Sequence, residues 1–154
     1  RLSKLDEGLY DAIILASAGL KRLGLADRIR HSLSAEISLP AVGQGALGLE
    51  CRSNDSALLK LIEPLQHQET SNCVRAERAF NAYLEGGCQV PIAGYATLRN
   101  DQIQIEGRVG SVDGKVILKA QRVGAIEQAE QLGEQLAQDL LAQGAGDLLK
   151  ALHE

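Results

Sequence analysis

The segment Leu84-Glu85-Gly86-Gly87-Cys88-Gln89-Val90-Pro91 sets a cysteine on a loop directly behind a helix end, with two glycines ahead of it. Diglycine strips side chains from one flank of the sulfur and lets a ligand approach the backbone closely. A thiol so presented acts as a nucleophile once cationic neighbours lower its pKa. The same residues also suit a helix cap with Cys88 as a small buried apolar side chain, and local sequence leaves both readings open. Cys73 falls on an apolar helical stripe and Cys51 ends an apolar run, so both are expected to be packed. Three cysteines without a C-x-x-C pair, and His31, His67 and His153 far apart, suit neither a disulfide framework nor a metal centre. No metal is expected, and a reducing compartment is the default.

A second constellation is Leu39-Pro40-Ala41-Val42-Gly43-Gln44-Gly45-Ala46, a glycine-bracketed crossing that reads as a hinge and carries no Walker or dinucleotide fingerprint. A third is cationic: Arg1, Lys4, Lys21, Arg22, Arg28 and Arg30 crowd the first 30 residues. Such charges commonly form solvated helix faces. Arg22 stands out because it follows the loop Ser17-Ala18-Gly19 at the end of an apolar run, where an open α/β sheet places its ligand, and a planar guanidinium suits carboxylates.

The elements that must position these groups divide near Pro64. Residues 9–16 (LYDAIILA) read as a buried strand, followed by helical sequence over 19–30 that Gly24 breaks. Residues 46–51 (ALGLEC) read as a second strand, and Asn54 or Asp55 caps a helix through Ile62. After Pro64, residues 69–85 predict an amphipathic helix with Cys73, Ala76, Phe80, Tyr83 and Leu84 inward, Arg75, Glu77, Arg78 and Asn81 outward, and Gly86-Gly87 as its stop. Alternating segments at 92–98, 102–109 and 115–122, with turns at Asn100-Asp101 and Asp113-Gly114, predict an antiparallel meander. Helices are expected over 126–141 and 147–152. Residues 64–154 thus look like a closed α+β unit, whereas 1–63 have too few partners to close a core.

Composition narrows the function. At 45% hydrophobic and 23% charged residues the chain is of ordinary globular type, and no apolar run approaches the length of a membrane span. Only 3% of residues are aromatic and the net charge is -4, which disfavours nucleic-acid stacking platforms and general anion-binding surfaces. An anionic ligand would need a local arginine cluster. The chain contains no Met and opens at Arg1-Leu2-Ser3 in helical sequence, so it is expected to be a fragment or processed chain. With no secretory leader in view, a cytoplasmic location is expected.

LPAVGQGALGLECR (39–52) and AERAFNAYLEGGCQVPIAGYA (76–96), supported by DAIILASAGLKRLGL (11–25), closely resemble the porphobilinogen deaminase (hydroxymethylbilane synthase) family. The resemblance spans essentially the whole chain. It implies a fold combining the end of an α/β domain of the periplasmic-binding-protein-like type with a C-terminal three-stranded antiparallel sheet covered by helices. Residues 1–40 would end domain 2, 41–63 would cross back into domain 1, and 64–154 would form the cofactor-bearing domain 3. It implies a transferase of haem biosynthesis that joins four porphobilinogens head to tail, with Cys88 holding a dipyrromethane cofactor by a thioether. Arg1 and Arg22 match carboxylate-contacting positions, and Ser17, Gly19 and Gln44 offer backbone and amide contacts. The family's catalytic aspartate has no counterpart here, Glu50 and Glu85 not matching it, so no catalytic residue is assigned and the missing N-terminal half is an implied partner. Porphobilinogen and the growing polypyrrole are the other implied partners, with neither nucleic acid nor membrane. An inactive pyrrole-carboxylate binding module and a thiol hydrolase pairing Cys88 with His67 are the alternatives.

Overall fold

The computed structural model describes residues 1–87 and 90–151. They fall into two compact units, Arg1–Ser34 and Ala35–Glu154. In the first, α1 (Leu2–Asp6) and α2 (Ser17–Arg22) are single short helices. Gly24, at φ 71°, turns the chain out of α2 into a 3₁₀ turn at Ala26–Arg28. That break lies where the sequence puts it. From this turn the Arg28 guanidinium reaches the carboxylate of Asp6, the last residue of α1.

The strand expected over residues 9–16 does not form, nor does the one over 46–51. A strand exists only by pairing with a neighbouring backbone, and both runs pass as irregular chain without one. Most of their apolar side chains stay open to solvent, with Ile14 77% and Leu47 96% exposed.

In the second unit, Asp55 caps α3 (Ser56–Ile62) by accepting the Leu58 N–H at 3.1 Å. Pro64 follows in a 3₁₀ turn, Glu63–Leu65, and α4 (Gln68–Tyr83) comes next. The meander is present as β1 (Ile92–Arg99), β2 (Gln102–Gly110) and β3 (Ile117–Ala125), antiparallel in the order β1-β2-β3. Asn100 and Asp101 both take positive φ, 50° and 57°, as the tight β1–β2 turn requires. The third strand starts later than expected. Ser111 and Asp113 knot the preceding turn: the Ser111 hydroxyl donates to Asp113 at 2.6 Å and accepts the Val116 N–H at 3.0 Å. Helices α5 (Ala129–Ala142) and α6 (Ala145–Lys150) complete the chain order.

Helices α4 and α5 cover one face of the sheet, and Phe80, the single phenylalanine, lies fully buried between them and the strands. A pair of facing glycines, Gly94 on β1 and Gly107 on β2, makes room for its ring. A Cβ at either position would sit 2.9 or 2.7 Å from the Phe80 ring. Gly133 does the same for the two helices, since a Cβ there would press on the Ala76 carbonyl and lie 2.7 Å from the Phe80 nitrogen. Bidentate pairs, Arg75 to Glu130 and Arg122 to Asp139, tie α4 and β3 to α5 from outside.

The boundary between compact units falls well ahead of Pro64 because residues 35–43 are bonded to the sheet. Arg108 donates to the carbonyls of Ala35 and Glu36, each at 3.2 Å, and the Gly94 N–H donates to the Pro40 carbonyl at 3.2 Å. This second unit is the α+β part of the expected fold. Among the described residues its three strands form the only sheet.

Candidate functional site

Within the first unit, Ser17, Gly19 and Arg22 share one short helix. Ser17 opens α2 half-buried, whereas Gly19 and Arg22 are exposed. Arg22 lies in the last turn beside Lys21, where positive charge suits the carbonyl end of a helix. Among the described residues it makes no side-chain hydrogen bond or ion pair. Arg1, also exposed, stands at the start of α1.

Gln44 belongs to the second unit. Gly43 and Gly45, with φ 69° and 87°, flank it in a tight turn and leave open space where Cβ atoms would be. The exposed Gln44 borders a cleft of about 540 Å³ between this turn, the N-terminal half of α4 and the end of β1. His67, Thr70, Tyr95 and Arg99 line the same cleft.

Beneath it lies a residue that the helical pattern misplaces. Glu77, expected on the outer face of α4, is 4% exposed. One carboxylate oxygen accepts the Ala96 N–H and the other the Gly43 N–H, both at 2.7 Å. Its spacing gives the clue: Glu77 is four residues from Cys73 and three from Phe80, in the middle of the dry stripe. Burial pushes its pKa up, and the two amide bonds oppose that rise. Burial also raises the pKa of the Cys73 thiol, reinforced by the negative charges of Glu77 and Glu69. Cys73 is therefore a packed, protonated side chain, as its position on the stripe predicts. Cys51 is half-buried.

Cys88 and Gln89 lie outside the described residues, but the approach to them is defined. Tyr83 ends α4, and Glu85 takes the left-handed conformation at φ 53° that the sequence assigns to the glycines. Gly86 serves a different purpose. Its N–H donates to the Asn81 carbonyl at 2.9 Å and its carbonyl accepts from the Asn81 amide at 3.0 Å. A Cβ on Gly86 would lie 2.8 Å from Asn81 Cγ, whereas one on Gly87 would have no atom of the described residues within 4 Å. Gly86 thus leaves room for the Asn81 side chain that bonds to its carbonyl.

His67 sits at the other end of α4. Its ring nitrogen caps the helix, accepting the Thr70 N–H at 3.3 Å, and the helix's 16 residues put about 24 Å between it and Gly86.

Two family models match the chain in succession. One, described as "Porphobilinogen deaminase, dipyromethane cofactor binding domain", covers residues 1–60, and the other, "Porphobilinogen deaminase, C-terminal domain", covers 71–142. The chain belongs to the porphobilinogen deaminase family. Arg1, Ser17, Gly19, Arg22 and Gln44 fall within the match to the porphobilinogen deaminase cofactor-binding domain, and Cys88 within that to the C-terminal domain. As members of this enzyme family, these residues are set in the context of tetrapyrrole biosynthesis.

Proposed function

We propose that this chain carries the cofactor-holding part of a porphobilinogen deaminase, the transferase that condenses four porphobilinogens head to tail into hydroxymethylbilane. In this reading residues 1–40 complete an α/β domain of the periplasmic-binding-protein-like type. Residues 41–63 cross back toward a first domain, and 64–154 form the third. The two apolar runs without pairing partners, 9–16 and 46–51, support it, because each has strand composition and lacks only a neighbouring strand. The protein is read as cytoplasmic.

The observation that carries the assignment is the match of residues 1–60 to the cofactor-binding domain, which contains the exposed guanidinium of Arg22. Each pyrrole brings acetate and propionate carboxylates, and an acidic chain of net charge -4 must hold such a polyanion with local arginines. The exposed donors of Arg22 and Arg1, the amide of Gln44 and the open glycine turns have the chemistry that a dipyrromethane requires. When bound, that group supplies the free pyrrole carbon on which the chain grows. The Cys88 sulfur holds it as a stable thioether, Arg22 holds a carboxylate by its fork, and Gln44 contributes from the crossing turn.

Intact mass and peptide mapping of the purified protein test the assignment. An adduct of two pyrrole units on Cys88 is expected. An unmodified chain that still binds pyrrole carboxylates would make it a binding module instead. An adduct on Cys51 or Cys73 would overturn the attachment site.

A further inference from the structure

Among the described residues, the outer edge of β1 has no fourth strand beside it. Three of the alternate amides that face this edge have acceptors off the sheet: Ile92 N–H donates to the Val90 carbonyl at 2.8 Å, Gly94 N–H to the Pro40 carbonyl at 3.2 Å, and Ala96 N–H to Glu77 at 2.7 Å. The segment from Pro40 to Gly43 therefore runs along this edge. A backbone bond holds it at one end and the second Glu77 oxygen, which accepts the Gly43 N–H, holds it at the other. Val42 between them packs toward the glycine hole at Gly94, where an added Cβ would lie 3.2 Å from its side chain.

A single buried carboxylate thus joins the crossing turn to the sheet, and Gln44 is the next residue. Stapling two amides does not by itself call for a buried charge, which is costly to desolvate. No cation among the described residues pairs with Glu77. The ionisable groups facing its cleft are Glu69 and Cys73 on α4, His67 before it, and Tyr95 and Arg99 on β1; the turn itself has none. An ionised carboxylate has one property that the neutral amide lacks. Both oxygens accept, so both N–H groups are held at once and the turn has a single setting.

We propose that Glu77 is a positioning residue, whose carboxylate sets the Gly43–Gly45 turn against β1 and so holds Gln44 at the angle from which it meets the pyrrole carboxylates. The effect on ligand rests on the reading of Gln44 given above, but the clamp itself does not. Glutamine at position 77 can satisfy only one of the two amides, and aspartate is a methylene too short to span both.

The clamp is tested first in the unmodified 154-residue chain by amide nitrogen–proton spectra against pH. The Gly43 and Ala96 amide signals should move together with one shared midpoint, and that movement should vanish in Glu77→Gln. Independent midpoints, or movement persisting in Glu77→Gln, would overturn the clamp. Kinetics in enzyme that turns over porphobilinogen test the positioning. Glu77→Gln should raise KM three- to tenfold with kcat within twofold, Glu77→Asp should not restore it, and the effects of Glu77→Gln and Gln44→Ala should be non-additive. Additive effects, or an unchanged KM in a variant with lowered melting temperature, would leave Glu77 a structural residue only and overturn the positioning role. Absence of any pyrrole adduct on Cys88 would instead sink the proposed function, and the paired amide titration would stand.

Discussion

Two residues, Glu77 and Arg22, separate what a charged side chain does inside a protein from what it does at the surface. Removing the Glu77 carboxylate leaves the buried Ala96 N–H and the half-buried Gly43 N–H without acceptors. Each orphaned amide costs about 1–3 kcal/mol, offset in part because a charge no longer has to be buried. Glu77→Ala should therefore lose on the order of 2 kcal/mol in urea unfolding. The pH dependence has a definite sign. A pKa raised by burial means that the folded state binds the proton more tightly than the unfolded chain. The Glu77 contribution is thus fully present below the ordinary glutamate range and declines as pH rises toward the folded value. The stability difference between wild type and Glu77→Gln should shrink across that window, and a difference that widens would show the amide bonds outweighing burial. Arg22 has no such burden. Arg22→Lys keeps the charge and loses the fork, so the variant should fold normally yet load cofactor or elongate roughly tenfold to a hundredfold less well, with partial recovery at high porphobilinogen. Unchanged cofactor content and kinetics would return Arg22 to an ordinary solvated position.

At the scale of elements, glycines decide how closely the layers approach. Phe80 fills a hole made by Gly94 and Gly107, and Gly133 brings α5 against the backbone of α4. Gly133→Ala would force the helices apart, because the atoms opposing the new methyl are a carbonyl oxygen and an amide nitrogen that no rotamer can move. Such overpacking costs about 1–3 kcal/mol or more. The exposed pairs Arg75–Glu130 and Arg122–Asp139 bind the same elements, yet solvent screens them. Thermal melting should therefore rank Gly133→Ala as far more damaging than Arg75→Ala or Arg122→Ala. The reverse ranking would mean that ion pairs hold α5 in place.

For the whole molecule, order should follow the sheet. The amides of β2 lie between two strands and beneath two helices, whereas α1 and α2 have five and six residues and lack a fully buried side chain. Isolated helices so short are marginal in water. In the 154-residue chain, hydrogen exchange over Arg1–Ser34 should be orders of magnitude faster than over β2. Trypsin should cut at Arg22, Arg28 or Arg30 before Arg75 or Arg122. Equal protection in both units would refute this.

Local pattern was enough for the meander, the paired long helices, the Asp55 cap and the break at Gly24, because each depends on residues within a few positions of one another. It was also enough for the family, since long motifs such as LPAVGQGALGLECR are specific without coordinates. The inward side of Glu77, the Asn81 contact at Gly86 and the attachment of residues 35–43 to β1 and β2 were decided only in the tertiary structure. Each is settled by a partner far along the chain or across a close contact. Strandness at 9–16 and 46–51 shows the same limit from the other side. Apolar, extended sequence makes a segment fit to pair, but a strand requires a second backbone, and that is a property of the assembled fold.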